Sequence, residues 1–235
     1  MKTKNHQALL AGIVIAAAGY ASSALADDDA TYNNSLRAGL YSIFYHTSSD
    51  DLSGPFVPAG VGFKALNLET LYLGYVRTVV PHFDIELAAG YPPLSKVQGQ
   101  GPATLGSVPY NGQVVSSARW ISPTVLFEYS FFDPSAKFRP YIGVGVNYTT
   151  FYDRTNTAQG NAASGGPTKL SLTASVGPAA TVGLQYKITS RWHLYASYSV
   201  SRVDTTITAE TAGFERTTRI HFGPQALVLS GGYSF

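Results

Sequence analysis

Cysteine is absent from the 235 residues, which rules out a disulfide framework and thiolate metal sites. Charge is scarce: Asp, Glu, Lys and Arg make up 13% of the chain, against roughly 25% in a typical soluble domain. Basic and acidic residues nearly cancel, 16 against 14, so no basic patch is expected to hold nucleic acid. Beyond the N-terminal leader no uninterrupted apolar stretch of about 20 residues occurs, which excludes a helical membrane protein. Nor is there a His-Glu-x-x-His spacing or a Gly-rich phosphate loop after a strand, so no metal, cofactor or catalytic residue is expected.

Aromatic residues and glycine are plentiful instead, with 16 Tyr, 12 Phe and 23 Gly. At the N-terminus Lys2 and Lys4 precede "ALLAGIVIAAAG" (Ala8 to Gly19), and "SSALA" ends in the small-x-small triplet Ala24-Leu25-Ala26. Charged, apolar and cleavage regions in that order predict a secretory signal peptide over residues 1–26, removed to leave 27–235. Loss of the two lysines leaves 14 basic against 14 acidic residues, a net charge of zero. An exported chain with so little charge fits a transmembrane β-barrel, whose apolar signal is spread over short alternating segments.

Eight such segments follow: Ser35–Thr47, Ala65–Thr78, Phe83–Gly90, Ala118–Phe131, Arg139–Tyr152, Leu170–Ile188, Trp192–Thr206 and Thr218–Phe235. Their connectors alternate in length. Val79–His82, Phe132–Phe138 and Thr189–Arg191 are short, whereas "SSDDLSGPFVPAGVGFK", "YPPLSKVQGQGPATLGSVPYNGQVVSS", "DRTNTAQGNAASGGPTK" and "TITAETAGFERT" are long. Short periplasmic turns and long outer loops are the arrangement of bacterial outer-membrane barrels; a soluble sandwich has no reason to sort loops by end. The expected fold is an all-β, eight-stranded antiparallel transmembrane β-barrel in the outer membrane of a Gram-negative bacterium.

Within each segment the two faces differ. Val125, Phe127, Tyr129 and Phe131 share one parity; so do Ile142, Val144, Val146 and Tyr148, and Val182, Leu184, Tyr186 and Ile188. The opposite parity carries Asp84, Glu86, Glu128, Asn147, Gln185, Lys187 and His193. Because an Arg or Lys at the lipid midplane costs roughly 2–4 kcal/mol, and an acid less, the charged parity is expected to face inward and the apolar parity to face lipid. The lumen candidates are Glu86, Ala88, Glu128, Asn147, Gln185, Lys187, Tyr195 and Ser199. Glu86, Glu128 and Lys187 are expected to form interior ion pairs. Tyr75, Trp192, Tyr233 and Phe235 lie beside the short turns, where an aromatic ring can anchor at the headgroup level of outer-membrane lipid. The aromatic end of the last segment has the form of the recognition signal read by the barrel-assembly machinery. Eight strands leave an interior wide enough only for side chains or one slim ligand, so a broad aqueous porin is excluded.

Several of these stretches, "SPTVLFEYSF", "FRPYIGVGVNYTTFYD", "SVGPAATVGLQY", "WHLYASYSVSRVDTTI", "LETLYLGYVRT" and the closing "GGYSF", resemble the outer-membrane protein W (OmpW) family, from about the second segment onward. The resemblance implies an eight-stranded outer-membrane barrel that gives passage to small hydrophobic compounds, in a family that includes alkane-import proteins. It further implies entry into a narrow apolar pocket at the outer end and a sideways exit through the wall. The first two outer loops depart most from the family pattern. Two rivals remain at this level. A lipid-modifying enzyme would need a base within reach of a nucleophile; His46, His82, His193 and His221 are scattered over four segments, and no Ser-x-His or His-x-Ser pairing surrounds His193. A structural or adhesive barrel, working through its exposed loops, is the more serious alternative.

Overall fold

The computed structural model describes residues 32–105 and 108–235; the leader expected over residues 1–26 lies outside the described residues. Eight strands close into an antiparallel barrel: β1 (Asn34–Tyr45), β2 (Leu68–Val80), β3 (Phe83–Gly90), β4 (Thr124–Ser130), β5 (Phe138–Asn156), β6 (Ser175–Lys187), β7 (Trp192–Ser201) and β8 (Pro224–Ser234). Each pairs with its neighbours in sequence, and β1 pairs with β8 from Ser35↔Ser234 to Tyr45↔Pro224 to complete the circle. Closure is what lipid demands, because an open edge would leave backbone N–H and C=O groups bare at several kcal/mol each.

Side chains obey the pleat. On β5 the burial alternates so that Ile142, Val144, Val146 and Tyr148 are exposed on the outer wall while Tyr141, Asn147 and Thr149 are buried within. Facing strands match: Val144 pairs with Phe127 and Ala180, and Phe127 and Val144 are the boldest of this row at 60% and 66% exposure. Such exposure of large apolar side chains is tolerable only against hydrocarbon. The three periplasmic turns are short, spanning residues 81–82, 131–137 and 188–191. At the first, His82 takes a positive φ of 75° and its Nδ1 lies 2.8 Å from the Ser130 carbonyl, tying this turn to the end of β4.

The outer half departs from the sequence-based expectation of long loops. β5 runs for 19 residues, or roughly 60 Å at about 3.3 Å each, far beyond the 9–11 residues that suffice to cross a bilayer. Its upper end pairs with Val114–Ile121, followed by Leu94–Gln100 and Gly62–Ala65. A second outer sheet orders Thr168–Leu172, Asp204–Thr211, Phe214–His221 and Ser48–Ser49. The two sheets face each other above the barrel and bury Val61, Phe63, Val97 and Val115 from one side against Val203, Ile207, Ile220 and Phe222 from the other. A short helix α1 (Ala158–Ser164) joins them; Thr157 caps its start and Gly165, at φ 83°, ends it.

Four expected strands are therefore each two strands, split near Pro123, Thr173, Arg202 and Gly223. At each split the chain leaves a barrel neighbour and takes a partner in an outer sheet. Pro123 has no N–H for the ladder, and Gly223 adopts a positive φ of 48° that a side chain would resist.

One of these splits carries a pH-sensitive tie. His221 Nδ1 lies 2.7 Å and Arg202 Nε 2.8 Å from the two Asp204 oxygens. Burial raises the Asp204 carboxyl, but the hydrogen bonds from His221 and Arg202 outweigh it and hold the group below the usual carboxylate range. A lowered folded pKa gives stability that is full above the unfolded value of about 3.9 and is lost as pH falls through the folded value. The hairpin Asp204–His221 should therefore loosen in hydrogen exchange below about pH 4 while the barrel stays protected. Asp204→Asn should flatten that dependence, at a cost under about 1 kcal/mol at neutral pH, since the pair is solvent-screened.

Candidate functional site

Halfway down the barrel an ionic floor crosses the interior. Arg37, on the inward parity of β1, places Nη1 3.3 Å from Glu86 on β3 and Nη2 3.4 Å from Glu128 on β4. All three are almost wholly buried, at 5%, 3% and 2% exposure. The guanidinium also lies over the Tyr195 ring at 4.0 Å and beside Tyr141 at 5.5 Å, where the ring quadrupoles favour a cation. The Tyr72 hydroxyl donates to Glu86 Oε1. These rings fit because glycine stands beside them: a Cβ on Gly232 would lie 2.6 Å from the Tyr195 ring, and one on Gly183 would strike Tyr141. Inward glycines on β6 and β8 are thus the space into which the floor's aromatic rings pack.

Above the floor lie two chambers in series. The lower encloses about 600 Å³ between Tyr72 and Glu86 at its base and Tyr41, Ser122, Ser201 and Pro224 at its top. Those four residues also border the upper chamber of about 740 Å³, both volumes including space open to solvent. Ile43, Trp120, Phe151, Val203, Ile207 and Phe222 give the upper chamber an apolar wall built partly from the barrel rim and partly from the two outer sheets.

The wall beside these chambers is irregular. Between β3 and β4 the last ladder pair is Ala88↔Thr124. The next pair upward is Leu94↔Arg119, between outer strands. Residues 89–93 and 120–123 between those pairs include Pro92, Pro93 and Pro123, which offer no N–H. One side-chain bond spans the interval, from Arg119 Nη1 to the Pro92 carbonyl at 2.9 Å.

The sequence-derived candidates fall at different heights. Glu86, Glu128 and Tyr195 belong to the floor; Ala88 and Ser199 line the lower chamber. Asn147 is buried, and its amide donates to Ser122 Oγ at 2.7 Å and Thr124 Oγ1 at 2.8 Å. Gln185 and Lys187 are half-buried toward the periplasmic end, where Lys187 pairs with His193. The cation that meets the two glutamates is therefore Arg37 rather than Lys187. The sequence pattern singled out Lys187 and passed over Arg37, whose alternation with Leu36 and Ala38 on β1 was the signal that could have found it; height in the barrel was not legible. His193 Nδ1 comes within 3.4 Å of Ser234 Oγ, a proximity hidden from sequence; no carboxylate hydrogen-bonds its ring among the described residues. No group of three potential metal ligands occurs among the described residues.

Of the expected anchors, Trp192 is exposed and packs edge-on against Tyr233 at 5.0 Å, and the Tyr233 hydroxyl accepts from Arg191 at 3.0 Å. Tyr75 donates to Asn34 Oδ1 at 2.8 Å, and the Phe235 N–H donates to the Asn34 carbonyl at 2.8 Å. All four lie at the periplasmic rim.

Comparison with known proteins places this architecture. The model of the OmpW family matches residues 33–235, which takes in β1 as well as the segments quoted above. Outer membrane protein W of Vibrio cholerae is 32% identical over 203 residues, 85% of this chain and 87% of its own length. Among solved structures, the outer membrane protein OprG from Pseudomonas aeruginosa superposes with a TM-score of 0.78 at 21% identity, over 87% of this chain and 96% of its own. Outer membrane protein AlkL, solved in DMPC lipid bilayers, gives a TM-score of 0.63 at 22% identity, over 91% and 96%.

Proposed function

The chain belongs to the OmpW family of outer-membrane barrels, and from that premise we propose that it takes small hydrophobic solutes into its upper chamber and releases them sideways into the membrane. The observation that carries this reading is a coincidence of place: an apolar chamber at the outer end, a buried ionic floor below it, and a proline-bearing interruption of the wall beside it. A solute with no polar group has a poor path straight down, because it would have to displace the buried contacts of Arg37, Glu86 and Glu128. Sideways, it would part a stretch of wall that few backbone hydrogen bonds hold, and would enter hydrocarbon of its own kind. No cofactor or catalytic residue enters this reading.

Alkanes cross a bare phospholipid bilayer unaided, so the test belongs in Gram-negative cells, whose outer leaflet resists them. Cells expressing the chain should take up labelled octane faster than cells with an empty vector. Replacing Pro92 and Pro93 by Val, successive residues of which one would turn its new N–H toward the neighbouring outer strand, should cut that uptake several-fold while heat-modifiable gel migration shows the barrel intact. Uptake equal to the empty vector in cells carrying the unmodified chain would end the proposal.

The rival reading, an adhesive barrel without transport, rests on the outer tip. Phe56, 83% exposed, meets Phe214 edge-on at 5.6 Å, an aromatic pair left facing solvent. That reading expects Phe56→Ser with Phe214→Ser to abolish binding to a surface and to leave octane uptake untouched.

A further inference from the structure

The lower chamber is chemically unlike the upper one. Ser197, Ser199 and Ser201 follow one another on the inward face of β7, about 7 Å apart. Thr181, the ladder partner of Ser199, stands beside it with its Oγ1 2.9 Å from Ser199 Oγ. Across the chamber Ser122 and Thr124 are held by the Asn147 amide. Hydroxyls line both chambers, but in the upper one Ser95, Ser116 and Thr149 are outweighed by large apolar side chains such as Trp120, Phe151 and Phe222, whereas from Ser122 and Ser201 down to Tyr72 and Glu86 the apolar lining is mostly alanine. A hydrocarbon pushed into this space would take water from those hydroxyls and offer nothing in return. A molecule with one polar end could satisfy both chambers at once.

Resting on the passage reading above, we infer that the lower chamber is a subsite for the neutral, hydrogen-bonding head of an amphiphile, such as a long-chain primary alcohol, whose chain lies in the upper chamber. Serine and threonine hydroxyls both donate and accept, so the ring suits a head that does the same. The head is neutral because of the base. Glu86 accepts from Arg37 at Oε2 and from Tyr72 at Oε1, so an ammonium would compete with a buried guanidinium for the same carboxylate, while that carboxylate opposes an incoming anion. The floor below makes the subsite a dead end, so a bound alcohol leaves by the route through which it came or through the wall.

The chain has two tryptophans, and Trp120 lines the upper chamber. In a Trp192→Phe background, in lipid nanodiscs free of detergent, Trp120 emission reports occupancy by decane, 1-decanol or decanoate at matched membrane mole fractions. Decanol should bind about tenfold more tightly than decane, the worth of one or two net hydrogen bonds, and decanoate more weakly than decanol. Thr181→Val with Ser199→Ala should bring the decanol-to-decane ratio toward one, whereas Thr181→Ser with Ser199→Thr, which keeps both hydroxyls, should preserve it. Equal binding of decanol and decane, a ratio indifferent to loss of the hydroxyls, or a preference for decanoate would each overturn the subsite. Octane uptake by cells carrying the Trp192→Phe chain separates the two ideas. Uptake without an alcohol preference removes the subsite alone, and an alcohol preference without uptake removes the passage reading alone.

Discussion

Arg37→Leu should lower the folding stability of the barrel by about 3–5 kcal/mol, measured by urea titration in lipid vesicles. The cause is not the lost attraction itself but what stays behind. Glu86 and Glu128 would remain almost fully buried, at 3% and 2% exposure, without the cation that lies 3.3 Å and 3.4 Å from them. Arg37→Lys should recover only part of the loss, because an ammonium is a point charge and cannot present the two guanidinium nitrogens that now reach different strands. Adding Glu86→Gln and Glu128→Gln to Arg37→Leu should restore most of the stability, since all three ionised groups are then gone together. If Arg37→Leu unfolds at the same urea concentration as the unmodified chain, the floor is not held by these charges.

That floor also shows what a sequence can and cannot reveal in a barrel. Parity sorted Glu86 and Glu128 inward, since a period of two is written directly into the order of residues. Their partner was harder. Lys187 and Arg37 both carry inward parity, yet only register decides which cation shares a height with the acids. Strands tilt by roughly 35–45° to the barrel axis, so each ladder row climbs as it passes around the wall, and no one-dimensional pattern records the climb. Arg37 meets Glu86 although its ladder partner on β2 is Gly74.

The outer sheets escaped for a different reason. Strands such as Leu94–Gln100 and Asp204–Thr211 place Gly99, Thr205 and Thr211 on their inner faces, interleaved with Val97 and Ile207. With Ser95, glycine and hydroxyl-bearing residues thus hold four of the seven inner positions of these two strands, and the apolar-polar alternation that marks a half-buried strand is diluted. The apolar chamber is built largely from these segments. Its lower neighbour, by contrast, draws on Ala88 and Ser199, which parity alone had picked out.

Val144→Arg should cost roughly 2–4 kcal/mol of stability in the membrane, whereas Gln185→Arg should cost close to nothing. Val144 lies on the outer wall of β5 between Phe138 and Tyr148, two exposed aromatics eleven positions apart counting both, the span of one membrane-crossing strand. It therefore sits near the bilayer midplane, where a guanidinium can reach neither headgroup layer. Leu184→Arg should be intermediate: it also faces lipid, but it stands three residues from the periplasmic end of β6, close enough for the side chain to stretch toward the interface. Gln185 has the opposite parity and is half-buried within the barrel, so an arginine there trades one polar interior group for another. The order Val144→Arg, Leu184→Arg, Gln185→Arg thus tests both which way each residue faces and how deep it lies. Equal unfolding midpoints for Val144→Arg and Gln185→Arg would mean that the apolar wall does not meet hydrocarbon, and with it the reason for closing the sheet into a barrel would be lost.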